Sequence, residues 1–188
     1  MSPPQEIAYR QLITLADGAR VLLRPLTAED RQALLALYSN LTPEDRRYMR
    51  HDVDDPGAVG AWVDELDYDV VYPIVALVGD RMVGHTSLHL NSGPARHRAE
   101  VRVFLAKDFR GRALGTRLLQ AIIDLAKRRS LYLLEAEVAA ERTSDIRAFQ
   151  KLGFDAKCTY EDYFMLPDGT FMDAVHLICR LRTGAQEF

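Results

Sequence analysis

The chain has 188 residues, 48% of them hydrophobic, enough for one packed core and little more. Its formal net charge of −3 provides no global attraction to nucleic acid or to an anionic membrane. Its longest apolar runs, about ten residues, are too short to span a bilayer, so the expectation is a cytoplasmic domain with neither kind of partner.

Residues 1–17 read as an N-terminal extension, opening on the polar Ser2-Pro3-Pro4-Gln5-Glu6 with no charged-then-apolar leader. A strand follows over 21–26, closed near Pro25. Thr27 then caps a helix over 28–40, with Asp30 in its first turn and Leu34, Leu35, Leu37 and Tyr38 on its apolar side. Thr42-Pro43-Glu44-Asp45 starts another short helix with proline in first position. Residues 52–60, rich in Asp, Pro and Gly from Asp52 onward, read as a loop, and 58–66 as a helix carrying Trp62. Strands over 73–78 and 82–90 are joined by Gly79-Asp80, a tight-hairpin signal.

After a loop over 91–98, the central strand runs over 99–106. Its alternation puts Glu100, Arg102 and Phe104 on one face and Val101, Val103 and Leu105 on the other. An amphipathic helix over 114–129 ends in Lys127-Arg128-Arg129, cations that complement the helix dipole. A strand over 132–138 and a short helix near 144–152 follow. Ile146, Phe149 and Leu152 recur there at helical spacing, and Gly153 supplies a left-handed cap. Two last strands, 155–164 and 172–181, turn at Pro167-Asp168-Gly169. This mixed order predicts an α/β (α+β) domain of three layers around one mixed sheet, over 18–183, with a tail at 184–188. Cys158 and Cys179 fall in strands and are expected as two reduced thiols.

The most telling segment lies between the central strand and the long helix. Arg110-Gly111-Arg112-Ala113-Leu114-Gly115-Thr116 is a short basic glycine loop that offers backbone N–H groups and a helix N-terminus to a phosphorylated ligand. It lacks the lysine of a P-loop and the spacing of the dinucleotide fingerprint. The pattern Arg/Gln-x-x-Gly/Ala-x-Gly/Ala does fit. Residues 110–115 resemble the acetyl-CoA loop of the GNAT superfamily of N-acetyltransferases, with Ala113 at the position where a glycine is usual. Ser144-Asp145-Ile146-Arg147-Ala148-Phe149-Gln150-Lys151-Leu152-Gly153-Phe154 resembles that family's second signature, and residues 18–30 its opening strand and helix. Within the superfamily, residues 41–50 look closest to the catalytic domains of bacterial protein-lysine acetyltransferases.

The resemblance implies a GNAT-like fold whose mostly antiparallel sheet splays at the central strand. It implies acetyl-CoA as cosubstrate and direct transfer of acetyl to a primary amine, a protein lysine among the options. Alternatives left open are a small-molecule amine acceptor, or a non-catalytic CoA sensor. It places the pantetheine arm along Val103, Phe104 and Leu105, and the pyrophosphate on Arg110, Gly111, Arg112, Ala113, Leu114, Gly115 and Thr116. A homodimer is also left open. The acceptor must be a neutral amine. At pH 7 a lysine of pKa ~10.4 is unprotonated in only about one molecule in 2,500, a deficit of roughly 4.6 kcal/mol. A base recovers part of that deficit, and the resemblance makes Glu100 the candidate.

Two residues depart from the family's pattern: Phe149 stands where many relatives carry a tyrosine, and Arg142 where many carry an asparagine. The thiolate would then take its proton from water or from another side chain, Ser144 and Tyr160 being the substitutes at hand, or leave unassisted. His85 and His89 share a strand face with Ser87, without the glutamate of a zinc helix. No metal is expected, and either histidine is an alternative base.

Overall fold

The computed structural model describes residues 9–49, 53–166 and 168–181. Asp52, Pro167, the polar start at 2–6 and the tail at 184–188 lie outside the described residues.

Eight strands form one sheet: β1 (Gln11–Thr14), β2 (Arg20–Pro25), β3 (Val71–Val78), β4 (Arg81–Leu90), β5 (Arg98–Leu105), β6 (Leu133–Ala139), β7 (Asp155–Met165) and β8 (Phe171–Arg180). Their spatial order is β1-β2-β3-β4-β5-β6-β8-β7. Every neighbouring pair is antiparallel except β5–β6. β1 falls inside the segment expected as an extension, so the sheet begins before residue 18. Only Ile13 of its four residues is buried, too little for an alternation to register in the sequence.

The helices are α1 (Arg31–Ser39), α2 (Pro43–Arg46), α3 (Pro56–Asp64), α4 (Leu114–Arg128) and α5 (Thr143–Gln150). Thr27 and Asp30 cap each other's backbone as expected, but the first turn, 28–30, is 3-10 and the α-helix begins at Arg31. α3 starts two residues earlier than the expected 58. The reason is local: Asp55 accepts from the Gly57 N–H at 2.8 Å and Pro56 takes the first helical position, so Asp-Pro-Gly is a helix start and not loop.

Two apolar cores flank the sheet. Leu34, Leu37 and Tyr38 of α1 pack with Val59 and Val63 of α3 against Val75, Leu77 and Met82. On the other face, Leu114, Leu118, Ile122 and Leu125 of α4 pack with Phe149 against Ile74, Leu88, Leu134 and Leu177. These are the three expected layers. Both cysteines are free thiols, Cys158 exposed and Cys179 buried. Among the described residues no helix is long and apolar enough to cross a membrane.

Candidate active site

β5 pairs with β4 over all but its first residue, from Gly84↔Leu105 to Leu90↔Ala99. Its pairing with β6 stops after three rungs, Arg98↔Leu133, Ala99↔Leu134 and Glu100↔Glu135. β6 meanwhile stays with β8 as far as Ala139↔Ala174. Each strand follows its antiparallel partner, so β5 and β6 part beyond Glu100. Residues 101–105, with Val103, Phe104 and Leu105 among them, turn a backbone edge toward the gap. Gly84 helps β4 keep the end of β5: a Cβ there would stand 2.8 Å from the Phe104 carbonyl oxygen. Glycine inside a strand is a signal of such close approach, and it went unread in the sequence.

The glycine loop follows at the open end of β5. A 3-10 turn over 107–109 leads into Gly111 at φ +71° and Ala113 at φ +64°, after which α4 begins. No side chain caps α4. The N–H groups of Leu114, Gly115 and Thr116 have no acceptor within the helix and lie at the positive end of its dipole.

The two arginines do not simply line the mouth. Arg110 donates through Nε and Nη2 to the Leu105 carbonyl, at 3.2 and 3.0 Å, and pairs with Asp45 at 2.7 Å. Arg112 pairs with Asp17 at 2.5 Å, its guanidinium 4.1 Å from the centre of the Phe109 ring. Both positive charges are thus matched by carboxylates of the chain. What remains to meet an anion is the backbone and the helix end.

Glu100 sits on the last β5–β6 rung, where the two strands begin to separate. Arg102, two residues on along the same face, grips both carboxylate oxygens at 3.0 Å. His89 of β4 and Glu135 of β6 are its cross-strand neighbours. Sequence reasoning missed what extends this polar face. Glu135 and Glu137 flank the His176 imidazole at 3.9 and 3.8 Å, and Tyr163 donates to Glu137 at 2.8 Å. The signal was present, since Glu135 and Glu137 are two apart on a strand and must share a face.

His85 shares a 2.5 Å hydrogen bond with the buried Tyr38 hydroxyl, and both rings stack near Phe104. Burial pushes its pKa down to about 4 and raises that of the Tyr38 phenol. His85 is therefore a neutral group, already bonded to Tyr38. His89 bonds Ser87 at 2.9 Å. Among the described residues no group of three or more His, Cys, Asp or Glu side chains is placed to hold a metal.

Across the gap, α5 carries the second motif. Phe149 is buried edge-to-face on Phe154, centroids 5.0 Å apart. Arg142 pairs with Asp145 at 2.6 Å and lies 5.2 Å from the Tyr48 ring centre, while the Tyr48 hydroxyl donates to Glu141. A cleft of about 260 Å³ lies between α2 and the β6–α5 turn, lined by Asp45, Tyr48, Arg110, Glu141 and Arg142 among others.

The model of the acetyltransferase (GNAT) family matches residues 31–154. An uncharacterised N-acetyltransferase of Methanocaldococcus jannaschii is 32% identical over 100 residues, 51% of this chain and 43% of that protein, so the match spans less than half of that relative. An acetyltransferase of Pseudomonas aeruginosa is 29% identical over 136 residues, covering 65% of this chain and 70% of that one. Among solved structures, yncA of Salmonella typhimurium with its cofactor acetyl-CoA superposes at a TM-score of 0.75 with 20% identity, over 88% of this chain and 96% of that one.

Proposed function

Because the chain belongs to the acetyltransferase (GNAT) family, we propose that it transfers acetyl from acetyl-CoA to a primary amine by direct attack. The observation that carries this reading is the early end of the β5–β6 ladder at Glu100. The open edge runs from Val101 to Leu105, five residues or ~17 Å of strand, and leads to the glycine loop. A pantetheine arm carries amides that can pair with such an edge, and a pyrophosphate suits the uncapped start of α4 with the 111–116 backbone.

In this arrangement the amine stands near Glu100, which accepts its proton directly or through water. The C–N bond forms, the C–S bond breaks, and CoA leaves as thiolate. Arg102 fixes the orientation of the carboxylate. Phe149 has no proton to give and is packed into the core, so the thiolate takes its proton from solvent. A thiolate is an adequate leaving group near neutral pH, which suits this arrangement. The acceptor is a protein lysine or a small cationic amine. Glu135 and Glu137, on the same face as Glu100, support an acceptor bearing positive charge.

The test is turnover of acetyl-CoA against a panel of lysine peptides, polyamines and amino acids, for the wild type and Glu100→Gln. The variant is expected to lose ~10²–10⁴-fold in turnover near pH 7, with its affinity for acetyl-CoA little changed and the defect shrinking at high pH. Near-full activity of Glu100→Gln would remove Glu100 as the base. Tight CoA binding without turnover of any amine would favour a CoA sensor.

A further inference from the structure

The Arg110–Asp45 pair ties the start of the loop that the reading above gives to CoA to the short helix α2. Arg110 opens the glycine loop and holds the Leu105 carbonyl at the end of the open β5 edge. Its partner lies far away in sequence, on α2. Asp45 is only 5% exposed, and both of its oxygens are used. One meets Arg110 at 2.7 Å. The other accepts from the Thr42 hydroxyl at 2.8 Å and the Thr42 N–H at 3.3 Å, while the Asp45 N–H returns a bond to Thr42 at 3.2 Å.

α2 has four residues, far too few to persist as a helix unaided. What fixes it is the carboxylate at one end and, beyond the other, Tyr48, which reaches Glu141 and the Arg142 guanidinium on the β6–α5 turn. The segment 42–48 therefore bridges the two sides of the opening between β5 and β6. It also forms one wall of the cleft there. Burial of Asp45 favours its neutral form, yet the bonds from Thr42 and Arg110 outweigh this and hold the carboxyl below its ordinary pKa. The ion pair persists at any pH near neutral.

We infer that the cleft beside α2 receives the amine and that Asp45 is a positioning residue that couples the CoA loop to its wall. Filling the loop steadies Arg110 and, through Asp45, orders residues 42–48 before the amine arrives. The inference rests on the proposed CoA site at 111–116.

Two variants separate coupling from simple capping. Asp45→Asn keeps a carbonyl oxygen for Thr42 but loses the ion pair. Thr42→Ala loses the cap and keeps the pair. Amide exchange is followed over 41–49 and 111–116, with and without CoA, alongside calorimetric affinity and melting temperature. In the wild type CoA is expected to slow exchange in both segments, by about fivefold or more over 41–49, the size of an ordinary coupling. In Asp45→Asn slowing at 111–116 should persist, with CoA affinity within about threefold of wild type, while slowing at 41–49 disappears. In Thr42→Ala exchange at 41–49 is faster throughout, but CoA still slows it. Retained slowing at 41–49 in Asp45→Asn, or its equal loss in Thr42→Ala, overturns the inference and leaves the CoA site standing. No binding of CoA to the wild type overturns both.

Discussion

Ala113 holds a backbone conformation that L-residues avoid, φ +64° and ψ 6°, immediately before the long helix. Such a residue costs roughly 1–2 kcal/mol, and glycine relieves it. Ala113→Gly is therefore expected to stabilise the fold by about 1 kcal/mol, a rise in melting temperature of ~2–4 °C for a chain of this size. Differential scanning calorimetry checks this, and a fall in melting temperature would mean that the alanine methyl makes a compensating contact. The sequence marks Ala113 as a departure from the family's pattern but gives no measure of its cost, because φ is not written in residue type. The same gap explains the arginines. Two positive charges beside two glycines suggest an anion site in the sequence, but their partners Asp45 and Asp17 are brought in by folding. Phe149, in contrast, was legible as packing, because it recurs at helical spacing with Ile146 and Leu152, and it is buried on Phe154.

Elements were legible where a local rule decides them. The hairpin at Gly79-Asp80, the Thr42 cap and the long amphipathic α4 need only their own residues. The opening between β5 and β6 has no such signature. It depends on which partner each strand keeps, and its expectation came from the resemblance alone. β1 was missed because its pairing, not its pattern, makes it a strand. The loop that follows β5 allows a sharp test. At Gly111 a Cβ would meet nothing within 4 Å, so space is not the constraint, but φ is +71°. Gly111→Val forces a β-branched residue into that region and should realign the loop's N–H groups. The expected outcome is a cooperative fold by circular dichroism with CoA affinity lowered by at least ~10²-fold, or about 2.7 kcal/mol. Unchanged affinity in a calorimetric titration would remove the loop from the binding site.

For the molecule as a whole, the pairing of His85 with the buried Tyr38 sets a pH limit. His85 titrates near 6.5 when unfolded and at about 4 when folded. Below pH 6.5 the unfolded chain takes up a proton that the native state refuses, so stability present at neutral pH is lost as pH falls, by up to ~1.4 kcal/mol per unit until about pH 4. Asp30, like Asp45, has a depressed pKa: burial raises it, but the bonds from Arg24 and Thr27 prevail. Its contribution is also lost on acidification, at a pH below that where an unfolded aspartate titrates. His85→Gln keeps a hydrogen-bonding group for Tyr38 and cannot titrate. Between pH 7 and pH 5 the wild type is expected to lose about 2 kcal/mol more than this variant in urea unfolding, and parallel losses would show that His85 is not the sensor. Three rungs of parallel pairing between β5 and β6 have a mechanical consequence as well. They are the seam between a group of five strands and a group of three, with α4 packed on the five-strand side and on α5. Bending is expected to concentrate at so short a seam, with the 42–48 bridge as the other tie between the two groups of strands. A body wedged into the gap between β5 and β6 is expected to act as a splint and slow amide exchange in strands on both sides, and slowing confined to the residues it touches would show the seam to be rigid already.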